Sequence, residues 1–123
     1  MNDKYSAYVS LAGRILLALM FIPAGFGKLT HIGGTAGYIA SGGLPFPSVL
    51  AVLTGLLELF GGLALVVGFQ VRGVGLAMAL FTLAASVLFH PFWSVPEAQH
   101  MVTQLLFMKN ISVVGGMLLI SAL

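Results

Sequence analysis

The sequence predicts an all-α integral membrane protein: a four-helix bundle in a single domain over residues 1–123, with both termini on the cytoplasmic side. Of the 123 residues, 59% are hydrophobic and 7% are charged, whereas roughly 25% of the residues of a soluble protein are charged. Five basic and three acidic residues are too few to cover the surface of a soluble domain of this size. The expected surroundings of the chain are therefore a lipid bilayer.

Four long apolar stretches predict the helices of the bundle. They cover residues 8–29, 48–68, 71–90 and 101–122. Each approaches the ~20 residues with which a helix crosses a hydrocarbon core ~30 Å thick. Backbone groups find no hydrogen-bond partners in hydrocarbon, so only helices and closed barrels span it. Because the stretches are continuous and lack the short alternating pattern of barrel strands, the sequence favours helices.

The connections between these helices follow in order along the chain. The first stretch runs into "GFGKL" without an Ala-x-Ala site, so we expect a retained spanning helix and not a cleaved signal peptide. The glycine-rich connection 31–47 predicts a short helix from Thr35 to Ser41, on the membrane surface or dipping toward the bundle. The second connection, "GFQVRG", is typical of a tight turn. The third, "HPFWSVPEAQH", predicts a fourth helix that starts near Val95 and projects beyond the bilayer.

The basic residues near the helix ends predict the orientation of the chain. With a cytoplasmic N-terminus, Lys4, Arg14 and Arg72 lie on the inner side, and Lys28 and Lys109 lie toward the outer side. This is a modest excess in the direction that the positive-inside rule predicts. The five residues are scattered and form no basic patch, so we expect no nucleic-acid partner.

The most informative residue is Glu58, an acid near the middle of the apolar segment "VLTGLLELFGGLALVVGF". It lies about ten residues from either end of its helix, or roughly 15 Å from each membrane surface. Insertion scales give a cost of roughly 2.5–3.5 kcal/mol for an acid at this depth, which implies a partner, a wet cavity or protonation. Each of these places Glu58 in the interior of the bundle.

We expect Lys109 to be the partner of Glu58, because it lies about 12 Å inside the fourth span, close to Glu58 in depth. Arg14, about 9 Å inside the opposite surface, is a second residue whose long side chain can approach the carboxylate. Lys28 and His90 lie nearer the outer ends of their helices. Two interpretations of a Glu–Lys pair stay open: it fixes the register of the bundle, or it marks a pathway or ligand site.

Small residues on three of the spans predict close helix packing around this pair. They are Ala18, Gly25, Gly55, Gly61, Gly62, Gly115 and Gly116. Asn110 is interpreted as an interhelical hydrogen-bonding group, with a ligand contact as the alternative. The three histidines lack the spacing of metal ligands, so no metal site is predicted. The sequence contains no cysteine and therefore forms no disulfide or thiolate-bound iron–sulfur cluster.

Five motifs, in their order along the chain, together resemble the DoxX family of small four-helix bacterial membrane proteins. They are "AGFGKL", "LPFP", "LLELFGGLALVVGF", "LFHPFW" and "FMKNISVVGGMLLI". The resemblance implies a location in the bacterial inner membrane and an association with quinol-oxidase and thiosulfate:quinone oxidoreductase complexes. It also implies that the family's recurring polar positions correspond to Arg14, Lys28, Glu58, His90, Lys109 and Asn110. One departure is that the resemblance implies a Gly-Pro-Gly stretch and a polar tail after the fourth helix, whereas the sequence ends at Leu123.

Three functions remain open at this point. The first is an auxiliary subunit of a redox or quinone-linked membrane complex, in which Lys109, Asn110 or His90 hydrogen-bonds a quinone carbonyl and Glu58 exchanges a proton. The second is a non-catalytic scaffold that anchors a soluble partner protein. The third is a small-molecule or ion conduit gated by Glu58 and Lys109, which requires a homo-oligomer. Since the sequence has no nucleophile–base constellation or cofactor fingerprint, we expect no enzyme activity of the chain on its own.

Overall fold

The computed structural model describes residues 3–122, and within them the chain is helical and contains no strand. The helices are α1 (Asp3–Thr30), α2 (Ile32–Ser41), α3 (Pro47–Val67), α4 (Val71–Phe89) and α5 (Glu97–Ala122), with a 3₁₀ turn at Phe92–Ser94. All but α2 are long and apolar enough to cross a membrane. The predicted all-α fold with four membrane-spanning helices is confirmed. The cytoplasmic position of the termini stays a prediction.

The helix bounds differ from the apolar stretches mainly at two starting points. α3 and α4 lie within one residue of the predicted spans at both ends. α1 begins at Asp3 instead of residue 8, and α5 begins at Glu97, four residues before the apolar stretch and two after the predicted helix start near Val95. Both helices therefore add a polar first turn, because apolarity marks the part of a helix that lies in lipid and not the end of its hydrogen bonding.

The connection between α1 and α3 contains a longer helix than the sequence predicts. α2 begins at Ile32, three residues before Thr35, and ends at Ser41 as expected. The Thr35 amide donates to the His31 carbonyl at 3.0 Å, so Thr35 is part of the first helical turn and not its cap. Gly43, with φ of +78°, follows in the left-handed conformation that glycine adopts without strain. α2 packs mainly on α3 and covers one end of the bundle, which we call the α2 end.

The bundle consists of two closely packed helix pairs. α1 packs against α3, α4 packs against α5, and α3 and α4 join the two pairs, whereas α1 and α5 scarcely touch. One hydrophobic core links the pairs, made of Phe21, Leu65, Met78, Ala79 and Met117. This core fills the half of the bundle away from α2 and leaves the polar residues near the α2 end.

Glycine allows the backbones of α1 and α3 to meet directly. A Cβ atom added to Gly25 would lie 2.4 Å from the backbone nitrogen of Leu59 and 2.7 Å from the carbonyl oxygen of Gly55. No side chain fits there, so the predicted close approach is confirmed for these helices. The prediction is wrong for Gly115, where a Cβ atom would meet nothing within 4 Å.

Candidate functional site

The buried acid Glu58 forms an ion pair with Lys28. Its Oε1 atom contacts Lys28 Nζ, and the residue is 5% exposed. The pair depends on the close contact of α1 and α3, because Lys28 lies one turn after Gly25 and Glu58 lies one turn after Gly55. The Lys28 Cβ atom packs over Gly55, and from there the side chain reaches Glu58. No hydrogen bond from another part of the described chain reaches Glu58 Oε1.

The predicted partner of Glu58, Lys109, lies elsewhere. Lys109 is exposed on the surface of α5, whereas its neighbour Asn110 is buried in the bundle. Consecutive residues of a helix point about 100° apart, so only one of these two can face the interior. The prediction of a Glu58–Lys109 cluster is therefore wrong. It rested on equal depth, and depth does not determine which face of a helix a residue occupies.

Arg14 also does not approach Glu58. Its Nη1 donates to the carbonyl oxygens of Leu65 at 2.9 Å and Val66 at 3.1 Å, in the last turn of α3. Carbonyls in the last turn of a helix lack partners within the helix, and a basic side chain satisfies them favourably. Because α1 and α3 are antiparallel, Arg14 near the start of α1 meets the end of α3. Arg14 therefore caps a helix and is not part of the polar cluster.

A cavity of about 360 Å³ adjoins the Lys28–Glu58 pair at the α2 end of the bundle. Four helices each contribute a polar side chain to its lining: Lys28, Glu58, Thr82 and Asn110. Most of the remaining wall is apolar, with Met20, Phe21 and Phe81 among its side chains. A small number of polar groups in an apolar wall is typical of sites that bind and orient small molecules.

Thr82, one of the polar side chains in the cavity wall, has unused hydrogen-bonding capacity. Thr82 Oγ1 is buried and has no hydrogen-bond partner within residues 3–122. Its backbone carbonyl accepts from the Ser86 hydroxyl at 2.7 Å. Asn110, which is 9% exposed, lines the same cavity. Buried polar groups are normally paired, so a free hydroxyl in a cavity wall indicates a partner that the chain does not supply.

α2 and the end of α4 line the cavity at the α2 end of the bundle. Tyr38 of α2 stacks on Phe89 of α4, with ring centroids 4.8 Å apart and ring planes 25° apart. Gly42 lies so close to the same Phe89 ring that a Cβ atom would be 2.8 Å from it. Tyr38, Phe89 and His90 all line the cavity. α2 packs mainly on α3. Its contacts with Phe89 therefore connect α2 to α4, on the other side of the cavity.

Of the six polar residues that the sequence analysis selected, four line the cavity and two do not. Lys28, Glu58, His90 and Asn110 line it, whereas Arg14 and Lys109 lie elsewhere. Sequence reasoning missed Thr82 and Tyr38. The sequence does contain a pattern that indicates Thr82: it lies four and eight residues before Ser86 and His90, and residues four apart share a helix face. Within the described range, no group of three or more metal-ligating side chains forms a metal site.

Comparison with known proteins places this architecture in a family. The model of the DoxX family matches residues 9–91, which cover most of α1 and all of α2, α3 and α4. The chain belongs to the DoxX family. Lys109 and Asn110 lie in α5, outside the matched range.

Two relatives of this DoxX protein come from Escherichia coli K12. The chain is 40% identical to inner membrane protein YqjF over 111 residues, which are 90% of the chain and 80% of the relative. It is 32% identical to inner membrane protein YphA, over 90% of the chain and 79% of the relative. The predictions of the family and of a multi-pass inner membrane protein are confirmed.

A more distant relative is a yeast protein, the ER-derived vesicles protein ERV29 of Saccharomyces cerevisiae. The identity is 23% over 98% of the chain, which corresponds to 32% of the length of ERV29. No solved structure gives a significant match.

Proposed function

We propose that this DoxX-family protein is an auxiliary subunit of a redox-linked membrane complex and binds a quinone-like molecule in the cavity beside Lys28 and Glu58. The observation that carries the proposal is the wall of this cavity. It combines a charge pair, an unpartnered hydroxyl and a carboxamide with apolar side chains. A quinone matches that wall, because it has a flat apolar ring with oxygen acceptors on its edge.

The size and charge of the cavity narrow the class of ligand. A volume of about 360 Å³ is near the lower end of small-molecule sites, which span roughly 300–1,000 Å³. It accommodates a ring with its substituents, and a long isoprenoid tail would extend into lipid. The charge of Lys28 is already compensated by Glu58, so the site favours a neutral head group over an anion.

The polar residues have separate roles in this proposal. The Thr82 hydroxyl and the Asn110 amide donate hydrogen bonds to the ligand oxygens. Lys28 and Glu58 lie next to the same space, and the Lys28 ammonium group supplies one of the two protons that two-electron quinone reduction takes up, while the second comes from solvent. Since the sequence has no cysteine for an iron–sulfur cluster or a dithiol, the proposal assigns the electrons to other subunits of the complex. His90, at the end of α4, is the polar group through which a proton reaches the α2 end of the cavity.

The conduit alternative receives less support. Phe21, Leu65, Met78 and Met117 are almost completely buried and fill the bundle on the side of the cavity away from α2. The Glu58–Lys109 pair on which a gate was predicted does not form. The scaffold alternative stays a prediction, and crosslinked pull-downs that return no reproducible partner would count against it.

The test is a titration of the purified protein in lipid nanodiscs with decylubiquinone, followed by calorimetry. We expect Thr82→Val and Asn110→Leu each to weaken binding about tenfold, in line with the loss of one hydrogen bond in a buried site. Thr103→Val and Gln104→Leu, on α5 and outside the cavity wall, are the matched controls and should bind as the wild type does. Glu58→Gln should also weaken binding. Equal affinities for wild type, Glu58→Gln and Thr82→Val would refute the proposal.

A further inference from the structure

Lys109 lies on a helix surface that the rest of the bundle leaves uncovered. α5 packs closely on α4 and on the 3₁₀ turn, and it scarcely touches α1. Lys109 is exposed, together with Leu105, Met108, Ser112, Gly115 and Leu119. We call these six residues the α5 face. They recur at intervals of three and four positions, so they form one continuous stripe along the helix.

The depth of Lys109 makes this exposure unusual. It lies twelve residues after Glu97 and thirteen before Ala122, the two ends of α5. The apolar part of α5 begins at Met101, so at ~1.5 Å per residue Lys109 lies about 12 Å inside the span, farther than a lysine side chain extends. A charged group in this part of a membrane is rare and is normally paired or directed into a protein interior. Lys109 therefore requires a partner beyond this bundle.

The acidic residues within positions 1–123 do not provide that partner. They are Asp3, Glu58 and Glu97. Glu58 is buried and bound to Lys28, and the other two lie in the first turns of their helices. His90 is near enough to Lys109 for their charges to interact, but a histidine is neutral or cationic and does not compensate a lysine.

A second copy of the chain is also unsuitable. In a symmetric dimer through the α5 face, the two Lys109 side chains would approach each other at the same depth, with no acid nearby. The face is otherwise well suited to a neighbouring helix. Ser112 and Gly115 are small, and a Cβ atom at Gly115 would meet nothing within 4 Å. Small residues of this kind allow close packing of membrane helices.

We propose that the α5 face binds a membrane-spanning helix of another polypeptide, which carries an aspartate or glutamate at the depth of Lys109. Charge complementarity selects this occupant. An opposite charge turns Lys109 from a cost into a specific contact, and Gly115 permits the approach of the partner backbone. The inference rests on α5 and not on the cavity, and it adds the chemistry of the partner to the proposed role as an auxiliary subunit.

The test uses designed membrane helices of known sequence. Because the sequence has no cysteine, an Ala98→Cys substitution at the exposed start of α5 provides a single site for a donor dye. The acceptor is carried by a 20-residue polyleucine helix with Asp, Asn or Leu at its centre. Energy transfer is measured in phosphatidylcholine vesicles as the ratio of peptide to lipid increases.

We expect the Asp helix to reach half-saturation at a peptide-to-lipid ratio at least tenfold lower than the Leu helix. Lys109→Met should abolish this preference, and Lys109→Asp should transfer it to a helix with a central Lys. Lys109→Arg is the control variant: it keeps the positive charge and should therefore retain the preference for the Asp helix. Lys28→Met does not serve as a control because it disturbs the cavity.

Equal binding of the Asp, Asn and Leu helices would overturn the proposal. Self-association of the wild type that Lys109→Met abolishes would also overturn it, because the occupant would then be a second copy. Neither result affects the decylubiquinone titration, so the two proposals fail separately.

Discussion

Lys28 and Glu58 form an ion pair across the place where α1 and α3 meet backbone to backbone. Lys28 is partly exposed, with 29% of its side-chain surface accessible, whereas the Glu58 side chain is 7% exposed. The buried Glu58 carboxylate therefore depends on Lys28 for a counter-charge, whereas Lys28 also contacts its surroundings outside the protein. This asymmetry determines what each substitution should do.

Lys28→Met should strongly destabilise the protein, because it leaves the Glu58 carboxylate buried without a counter-charge. We expect a loss of about 3–5 kcal/mol in the free energy of unfolding, the range for breaking a buried pair from one side. Lys109→Met is the matched control: it removes an exposed charge that has no acidic partner among the described residues, so it should not destabilise the protein. Unfolding in mixed detergent micelles, followed by circular dichroism, measures both.

The double variant Lys28→Met/Glu58→Leu separates stability from binding. Replacement of a buried ion pair by apolar side chains of similar size is often neutral or stabilising, so the double variant should regain most of the stability that Lys28→Met loses. It should bind decylubiquinone more weakly than the wild type does. A double variant that is stable and binds as the wild type does would show that the pair only fixes the register of the bundle.

Gly25→Ala should destabilise the contact of α1 with α3. The added methyl group would lie 2.4 Å from the Leu59 backbone nitrogen, and backbone atoms cannot move aside as a flexible side chain does. We expect a loss of about 1–3 kcal/mol, typical of overpacking. Gly27→Ala, in the same helix with no atom within 4 Å of the new methyl group, should be neutral or up to about 1 kcal/mol stabilising. Equal stabilities of the two variants would contradict the backbone contact.

Arg14→Gln should loosen the end of α3. It removes the two hydrogen bonds from Nη1 to the carbonyls of Leu65 and Val66, and we expect a loss of about 1–2 kcal/mol. Ser10→Ala is the control, since it removes only the contact of the exposed Ser10 hydroxyl with Arg14 Nε. Hydrogen exchange in the last turn of α3 should increase in Arg14→Gln and remain unchanged in Ser10→Ala. Exchange that increases equally in both variants would argue against a cap.

Tyr38→Ala should open the cavity, because it removes the ring that stacks on Phe89. The Thr82→Cys variant carries a single cysteine in the cavity wall. The rate at which N-ethylmaleimide modifies this cysteine measures access to the cavity. We expect a rate several times higher when Tyr38→Ala is added. Tyr5→Ala, an exposed tyrosine of α1 far from the α2 end, should leave the rate unchanged. If both tyrosine variants gave the same rate, α2 would not limit access.

The fold followed from the sequence because the bilayer imposes one strong condition. Uninterrupted apolar stretches of sufficient length had to be helices, and α3 and α4 end within one residue of the prediction. The interior position of Glu58 followed in the same way from the cost of a charge in lipid. These conclusions required depth alone, and depth is read directly from residue numbers.

The partner of Glu58 did not follow, because it depends on which face of each helix points inward. Lys109 and Asn110 differ little in depth, yet one is exposed and the other is buried. Lys28 seemed too close to the end of α1, but its side chain extends from Gly55 to Glu58. The rotation and spacing of the helices result from contacts such as Gly25 with Gly55, which become visible only when the helices are packed.

Photoaffinity labelling can locate a quinone-like molecule bound in the cavity beside Lys28 and Glu58. The purified protein in nanodiscs is irradiated with an azidoquinone, digested and mapped by mass spectrometry. We expect labels on cavity residues of α1 and α4, such as Met20, Phe81 and Thr82; an excess of decylubiquinone should prevent this labelling, and Asn110→Leu should reduce it. Labels that spread over the lipid-exposed residues Leu53, Leu63 and Leu76, with none in the cavity, would contradict binding at this site.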